Sequence, residues 1–228
     1  MKIAIIPARI GSKRIHKKNI KLFCDKPMIT YSIKTALDSK IFDKVVVSTD
    51  SDEIAEVARL SGAEVPFLRP NSLANDHTAT IPVINHAIKN LEDGGDFIDK
   101  VCCIYPCSPL LLVDDLINSL ELMLANKSNS CIPVCEFSSA PQRGFKIDKK
   151  HNLQWVDPNF KNIKTQDLQK LYHDTGSFYW ASKEKWLEGD ISNALAYMIP
   201  NWRVVDIDNN DDWIRAEIIY KILNSSSE

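Results

Sequence analysis

Between Arg9 and Lys26 the chain carries seven Lys or Arg residues and a single acid, Asp25. The cluster sits directly behind Ile3-Ala4-Ile5-Ile6-Pro7, a short apolar run with β-branched residues that reads as a buried strand stopped by proline. Gly11 and Ser12 are small, so backbone N–H groups there can approach a ligand closely. A loop of bare amides and clustered cations at the carboxyl end of a strand suits a polyphosphate. It is not a Walker loop, because the Gly-x-x-x-x-Gly-Lys-Ser/Thr pattern is absent. The competing reading is a solvated basic turn. The loop's place behind the first strand of an α/β chain weighs against it, since open sheets put ligands there.

Near the other end, Val205-Asp206-Ile207-Asp208 reads as extended, with a strand expected over 203–207. Side chains two apart then point the same way, so Asp206 and Asp208 could meet one hard cation such as Mg²⁺, which a triphosphate needs. The bland alternative makes Asp208 the cap of the last helix, with Asp211 and Asp212 in its first turn. Arg69 lies in a polar loop with Asn75, Asp76 and Thr78 and could offer its planar fork to a base or a phosphate. Asp76 reads equally as an N-cap.

Tyr105-Pro106-Cys107-Ser108-Pro109 is a turn fixed by two prolines, suited to a sugar-binding wall or to plain connection. Tyr172 to Trp180 mixes aromatic rings with Asp174 and hydroxyls, which suits a ligand with many hydroxyls or a subunit contact. Arg143 and Lys146 could meet a carboxylate. There is no paired-carboxylate glycosidase arrangement, no Ser-His-Asp set and no Cys/His metal spacing.

The elements that must position these residues alternate. Strands are expected over 2–7, 44–48, 64–68, 100–105 and 130–135, and helices over 27–37, 78–91 and 114–125. A further helix after Asp50 ends at Gly62, with Asp50 and Glu53 spaced as a capping box. This alternation predicts a mostly parallel sheet covered on both faces, with a functional edge made of the loops that follow the strands. From Glu136 to about Leu171 it breaks into a polar excursion with short strands over 144–147 and 153–156. A strand over 176–181 and a helix over 211–223 close the chain, and 225–228 reads as a frayed tail.

With 228 residues, 44% hydrophobic, the chain is long enough for one large domain, 1–228, with a substantial core. Net charge is −2, so the basic character is local, which favours a small anion over a nucleic acid. The six cysteines form no Cys-x-x-Cys pair and read as buried, reduced thiols. No signal-peptide anatomy or membrane-length apolar run is visible, and a cytoplasmic protein is expected.

Ile6 to Asn19 resembles the signature of the cytidylyltransferases that activate acidic nine-carbon sugars, the CMP-sialic acid synthetase family. The resemblance continues in family order through Val47–Asp50, Leu68–Pro70, Leu73–Asp76, Pro106–Leu110 and Asp206–Asp208. Cys103–Pro106, Pro141–Arg143, Thr165–Leu168 and Tyr172–Trp180 look like the branch acting on pseudaminic acid. The departures are His16 for Pro, Ile10 for Gly, and Cys107 and Ser108 for Thr and Ala.

The resemblance implies a Rossmann-like three-layer fold, a homodimer joined through the 136–171 excursion, Mg²⁺ and CTP. Arg9, Ser12, Lys13, Lys18, Asn19, Arg69 and Asp76 match nucleotide-side positions. Asp206 and Asp208 match metal carboxylates, with Lys13 beside them in catalysis. Tyr105, Ser108, Arg143, Asp174 and Tyr179 are expected on the sugar side. The reaction implied is transfer of CMP from CTP to the anomeric hydroxyl of a 2-keto sugar acid, for surface glycans or flagellin. N-acetylneuraminate, legionaminate or Kdo are alternative acceptors, and a non-catalytic nucleotide-sugar binder is the alternative of another class.

Overall fold

A computed structural model of the chain describes residues 1–190 and 193–225. The expected tail therefore lies outside the described residues from 226 onward.

The first strand, β1 (Lys2–Pro7), is fully buried from Ile3 to Ile6 because it is covered on both faces and both edges. A two-residue hairpin, β2 (Leu22–Phe23) and β3 (Lys26–Pro27), follows the basic loop and leads into α1 (Met28–Ser39). Next come β4 (Lys44–Ser48), α2 (Asp52–Leu60), α3 (Thr80–Asp93), β5 (Lys100–Ile104), α4 (Val113–Ala125) and β6 (Ser130–Glu136). β1 pairs in parallel with β4 on one side and β5 on the other.

The period-2 alternation of strands sorts their side chains between two cores. Ala4, Ile6, Val45, Val47, Cys102 and Ile104 face α1 and α4, where Ile29, Ile33, Leu116 and Leu120 wait. Ile3, Ile5, Val46, Val101 and Cys103 face α3, with Ile84, Ala87 and Ile88. Each Val, Leu or Ile among them contributes about 1.5–3 kcal/mol on burial. The expectation of buried thiols holds for Cys102, Cys103, Cys131 and Cys135, whereas Cys24 and Cys107 are half-buried, and all six cysteines are free.

The second half departs from the expected mostly parallel sheet. The hairpin β7 (Phe145–Ile147) and β8 (Leu153–Trp155) forms a separate small sheet in the excursion. The chain returns as β9 (Tyr172–Asp174), β10 (Phe178–Ser182), α5 (Lys183–Glu188), β11 (Leu195–Met198) and α6 (Asn210–Asn224). β10 runs antiparallel between β5 and β6, β9 lies antiparallel on β6, and β11 is parallel to it, so the sheet is mixed, in the order β11-β6-β10-β5-β1-β4.

Three further expectations need correction. Residues 64–68 make only isolated bridges, Val46 to Glu64 and Thr49 to Leu68, and Pro66 between them has no N–H to continue the ladder. The segment after Arg203 is not a strand. A 3₁₀ turn spans Asn201–Arg203, and the segment then runs unpaired to α6. Asp50 does not cap α2, since Ser51 does so by accepting from the Ile54 N–H. Among the described residues no helix is long and apolar enough to cross a membrane.

Candidate active site

The loops after β1 and β5 and the loop that leads into α3 meet Asp206 and Asp208 around a cleft of about 510 Å³, in the range of small-ligand sites. Pro7, Arg9, Ser12, Lys13, Arg14, Lys18 and Asn19 form one wall, and Arg69, Asp76, Thr78 and Thr80 another. Tyr105, Pro106, Cys107, Gly176, Asp206 and Asp208 complete it.

The basic loop is braced from inside. Ser12 N–H donates to Ile10 C=O at 2.9 Å, a tight turn beside Gly11. Asn19 is buried with both ends of its amide engaged. It donates to Arg9 C=O at 2.8 Å and accepts from Cys107 Sγ at 3.2 Å. Asn19 thus holds the start of the loop. The cations cross the cleft instead. Arg9 and Lys13 both pair with Asp76. Arg14 grips Asp208 with both guanidinium ends, at 2.9 and 2.7 Å. Lys18 donates to Ile207 C=O at 2.6 Å and stands 3.8 Å from Asp208. The hydrogen bonds from Lys13 and then Arg9 hold the Asp76 carboxyl down at about 2.

Arg69 is different. Its side chain is 3% exposed, yet Nε and Nη2 have no hydrogen-bond partner, and Asp50 stands 3.7 Å away. Burial pulls its pKa below the ordinary arginine value, and Asp50 opposes that shift. A buried fork with unmet N–H groups is costly unless something arrives to accept from it.

Asp206 is exposed, and no hydrogen bond or ion pair reaches its carboxylate among the described residues. Desolvation by the cleft walls first, then the charge of Asp208, pushes its pKa up, with Lys18 opposing. Asp208 is free for Arg14 because Asn209 caps α6, accepting from the Asp211 and Asp212 N–H groups. The helix-cap reading of Asp208 therefore fails, and so does the strand that was to align it with Asp206. What survives is two carboxylates side by side on one cleft wall.

On the third wall Tyr105 Oη meets Thr80 Oγ1 at 2.7 Å, and burial raises the Tyr105 phenol to about 12. Its ring lies edge-on to Tyr179, 5.7 Å between centroids. Tyr179 Oη donates to Asp174 Oδ1 at 3.1 Å, and Gly176 N–H donates to the same oxygen at 2.9 Å. Gly176 has φ +61° and closes this turn against the Asp206 carboxyl. Asp174 and Asp206 also line a polar side cavity of about 290 Å³.

Of the five expected sugar-side residues only Tyr105 lines this cleft; Asp174 lines the side cavity, Tyr179 packs against Tyr105, and Ser108 and Arg143 lie elsewhere. Ser108 Oγ points to Ser177 C=O, 3.4 Å, in a small pocket behind the wall, because Pro109 and Leu110 turn inward there. Arg143 lies in the excursion, donating to Thr165 Oγ1 at 3.1 Å with its guanidinium over Trp155, and does not line the cleft. Arg14, Thr80 and Gly176 line the cleft without having been singled out. Arg14 was legible as one more cation of the basic loop, whereas Thr80 carried no sequence signal.

A family model described as cytidylyltransferase matches residues 3–191. The chain is 40% identical to a pseudaminic acid cytidylyltransferase of Campylobacter jejuni subsp. jejuni serotype O:2, over 99% of this chain and 98% of that protein. It is 32% identical to a CMP-N,N'-diacetyllegionaminic acid synthase of Legionella pneumophila subsp. pneumophila, over 96% of each. Its fold is similar to a solved CMP:2-keto-3-deoxy-manno-octonic acid synthetase complexed with CTP, with TM-score 0.71, 14% identity and 99% of each chain covered.

Proposed function

Because the chain belongs to the cytidylyltransferase family, we propose that it transfers CMP from CTP to the anomeric hydroxyl of pseudaminic acid, releasing pyrophosphate. The observation that carries the nucleotide half is Arg69. Two of its nitrogens, Nε and Nη2, are buried and unpartnered, and the residue lines a cleft whose next wall is the cation-rich loop. O2 and N3 of cytosine are the acceptors such a fork lacks. The acceptor half rests on the relative that is 40% identical and on the wall of Tyr105, Tyr179 and Asp174.

Mg²⁺ is tested by the donor set. Among the described residues no group of three or more His, Cys, Asp or Glu forms a metal cage. Mg²⁺ does not need one, since it usually takes one or two carboxylates plus phosphate oxygens and waters. Asp206, unpartnered and beside another carboxylate, fits that role, and Asp208 fits once Arg14 lets go. Held there with the nucleotide, the ion would neutralise charge at the α-phosphate.

The chain's own residues do the rest by positioning and charge. Lys13, Arg9 and Arg14 leave Asp76 and Asp208 for the triphosphate and then stabilise the departing pyrophosphate. Lys18 holds the 204–208 segment through Ile207 and keeps positive charge near the reacting phosphate. Tyr105 gives the sugar an aromatic wall, Tyr179 buttresses it edge-on, and Asp174 accepts from the sugar's hydroxyls.

The proposal includes a homodimer and a cytoplasmic setting. The excursion supports the first, since Phe145, Ile147 and Leu153 are exposed apolar side chains on a hairpin without a core of its own. Six free cysteines support a reducing compartment.

The test is pyrophosphate release with CTP and Mg²⁺, offering pseudaminic acid and N-acetylneuraminic acid in parallel. Release with pseudaminic acid alone is expected. Release with N-acetylneuraminic acid instead would overturn the acceptor, and silence with these two and with legionaminate and Kdo would overturn the reaction.

A further inference from the structure

Asp50 is a nearly buried carboxylate, its side chain 10% exposed, that neither caps α2 nor lines the cleft. It lies just beyond β4, between the two loops assigned to the nucleotide. Oδ1 accepts from the Ile10 N–H at 3.1 Å, inside the basic loop. The same oxygen stands 3.7 Å from Nη2 of Arg69. The main chain of Arg69 is tied to the same place, its N–H donating to Thr49 C=O at 2.7 Å. Ala8 N–H likewise donates to Ser48 C=O at 2.9 Å. The short stretch Ser48 to Asp50 therefore fixes the start of the phosphate loop and the root of Arg69, and Asp50 does so with its charge.

A buried carboxylate with one backbone donor is poorly compensated unless a cation faces it, and a buried guanidinium needs an anion. Each meets that need in the other, yet at 3.7 Å they do not form the close fork-to-fork contact Arg prefers with a carboxylate. The attraction sets which way the guanidinium lies without consuming its N–H groups. We propose that Asp50 is a positioning residue that holds Arg69 with unspent donors turned to the bound base, and locks the phosphate loop to the same strand end. The inference rests on the reading that this cleft binds CTP.

The experiment is calorimetric titration of CTP with Mg²⁺ into the full chain, alongside steady-state kinetics, for the unmodified protein, Asp50→Asn, Arg69→Gln and the double variant. Asn keeps the size and the acceptor for Ile10 but loses the charge. Asp50→Asn is expected to weaken CTP binding about tenfold, a 1.4 kcal/mol effect at 25 °C. It should raise KM for CTP in step and leave kcat within about twofold. In the Arg69→Gln background the same change should cost under twofold, because Asp50 acts through Arg69. Unchanged CTP affinity in Asp50→Asn, or losses that multiply independently in the double variant, would overturn the proposal and leave Asp50 a folding residue. If Asp50→Asn does not fold, Asp50→Glu keeps the charge and shifts it by one methylene. A loss of at least threefold in affinity is expected there, and none would overturn the proposal. An unmodified chain that binds no CTP would overturn the nucleotide reading itself, and this inference with it.

Discussion

Removing the Asp115 carboxylate should cost the fold far more than any surface ion pair. Asp115 and Arg203 are 4% and 8% exposed and meet as a fork, at 2.5 and 2.8 Å. Asp115 also accepts from the Leu112 N–H at 3.0 Å, capping α4, and Arg203 also donates to Leu110 C=O at 3.2 Å. Asp115→Ala leaves a buried guanidinium without its anion and a helix start without its acceptor. Breaking one side of such a pair costs about 3–5 kcal/mol, against about 0–1 for an exposed pair. At roughly 2 °C per kcal/mol for a chain of this size, the melting temperature should fall by about 6–10 °C. Urea unfolding of the unmodified chain, Asp115→Ala, Arg203→Met and the Asp115→Leu/Arg203→Met double variant would read it. The double variant should recover most of the loss, because two apolar groups no longer strand a charge. A cost below about 1 kcal/mol for Asp115→Ala would refute the reasoning and class the pair with the surface ones. Arg203 ends the 3₁₀ turn that leads into Asp206 and Asp208, so turnover should fall with stability.

Asp208→Ala should lower kcat by ~10²-fold or more at saturating Mg²⁺, the scale of losing one preorganised electrostatic group. Near-normal turnover in steady-state assays would remove Asp208 from the metal. Lys13→Ala should raise KM for CTP and lower kcat, and a change in melting temperature alone would detach it from the triphosphate. Asp76, held near 2 by Lys13 and Arg9, should titrate by carbon NMR well below an ordinary carboxylate. Because its folded pKa is depressed, its ion pairs stabilise the closed loop above the ordinary range and fade as pH falls toward 2. Lys13→Ala should move that midpoint up.

The first half of the fold was legible because its signals are local. Ile3–Ile6, Val45–Val47 and Val101–Ile104 are continuous apolar runs of the kind a strand buried on both faces requires. The second half was not. β9 is three residues long and β11 four, too short for a period of two to stand out from the flanking loops. That β10 runs antiparallel in mid-sheet is a tertiary fact with no local mark. At the site, the cations and the two Asp residues were visible by type. Their partners were not, because pairings such as Arg14 with Asp208 span 194 positions. Asp50 was read as a cap, and for Asp208 a cap was the competing reading, for one shared reason. In Asp50-Ser51 and Asp208-Asn209 the next residue is as good a cap as the acid, and spacing cannot choose between them.

The place of β10 also governs how the chain can assemble. β6, β9 and β11 join the rest of the sheet through β10, which pairs with both β5 and β6. Ile104, the last residue of β5, finds its antiparallel neighbour Phe178 roughly seventy residues later. During synthesis at ~5–20 residues per second, the open edge of β5 waits ~4–15 s for it. Through that interval Lys100–Ile104 is an unpaired apolar strand edge, open to pairing with another nascent chain. The yield of folded protein should therefore track how fast residues 105–182 are translated, and slow codons in that span should favour aggregation.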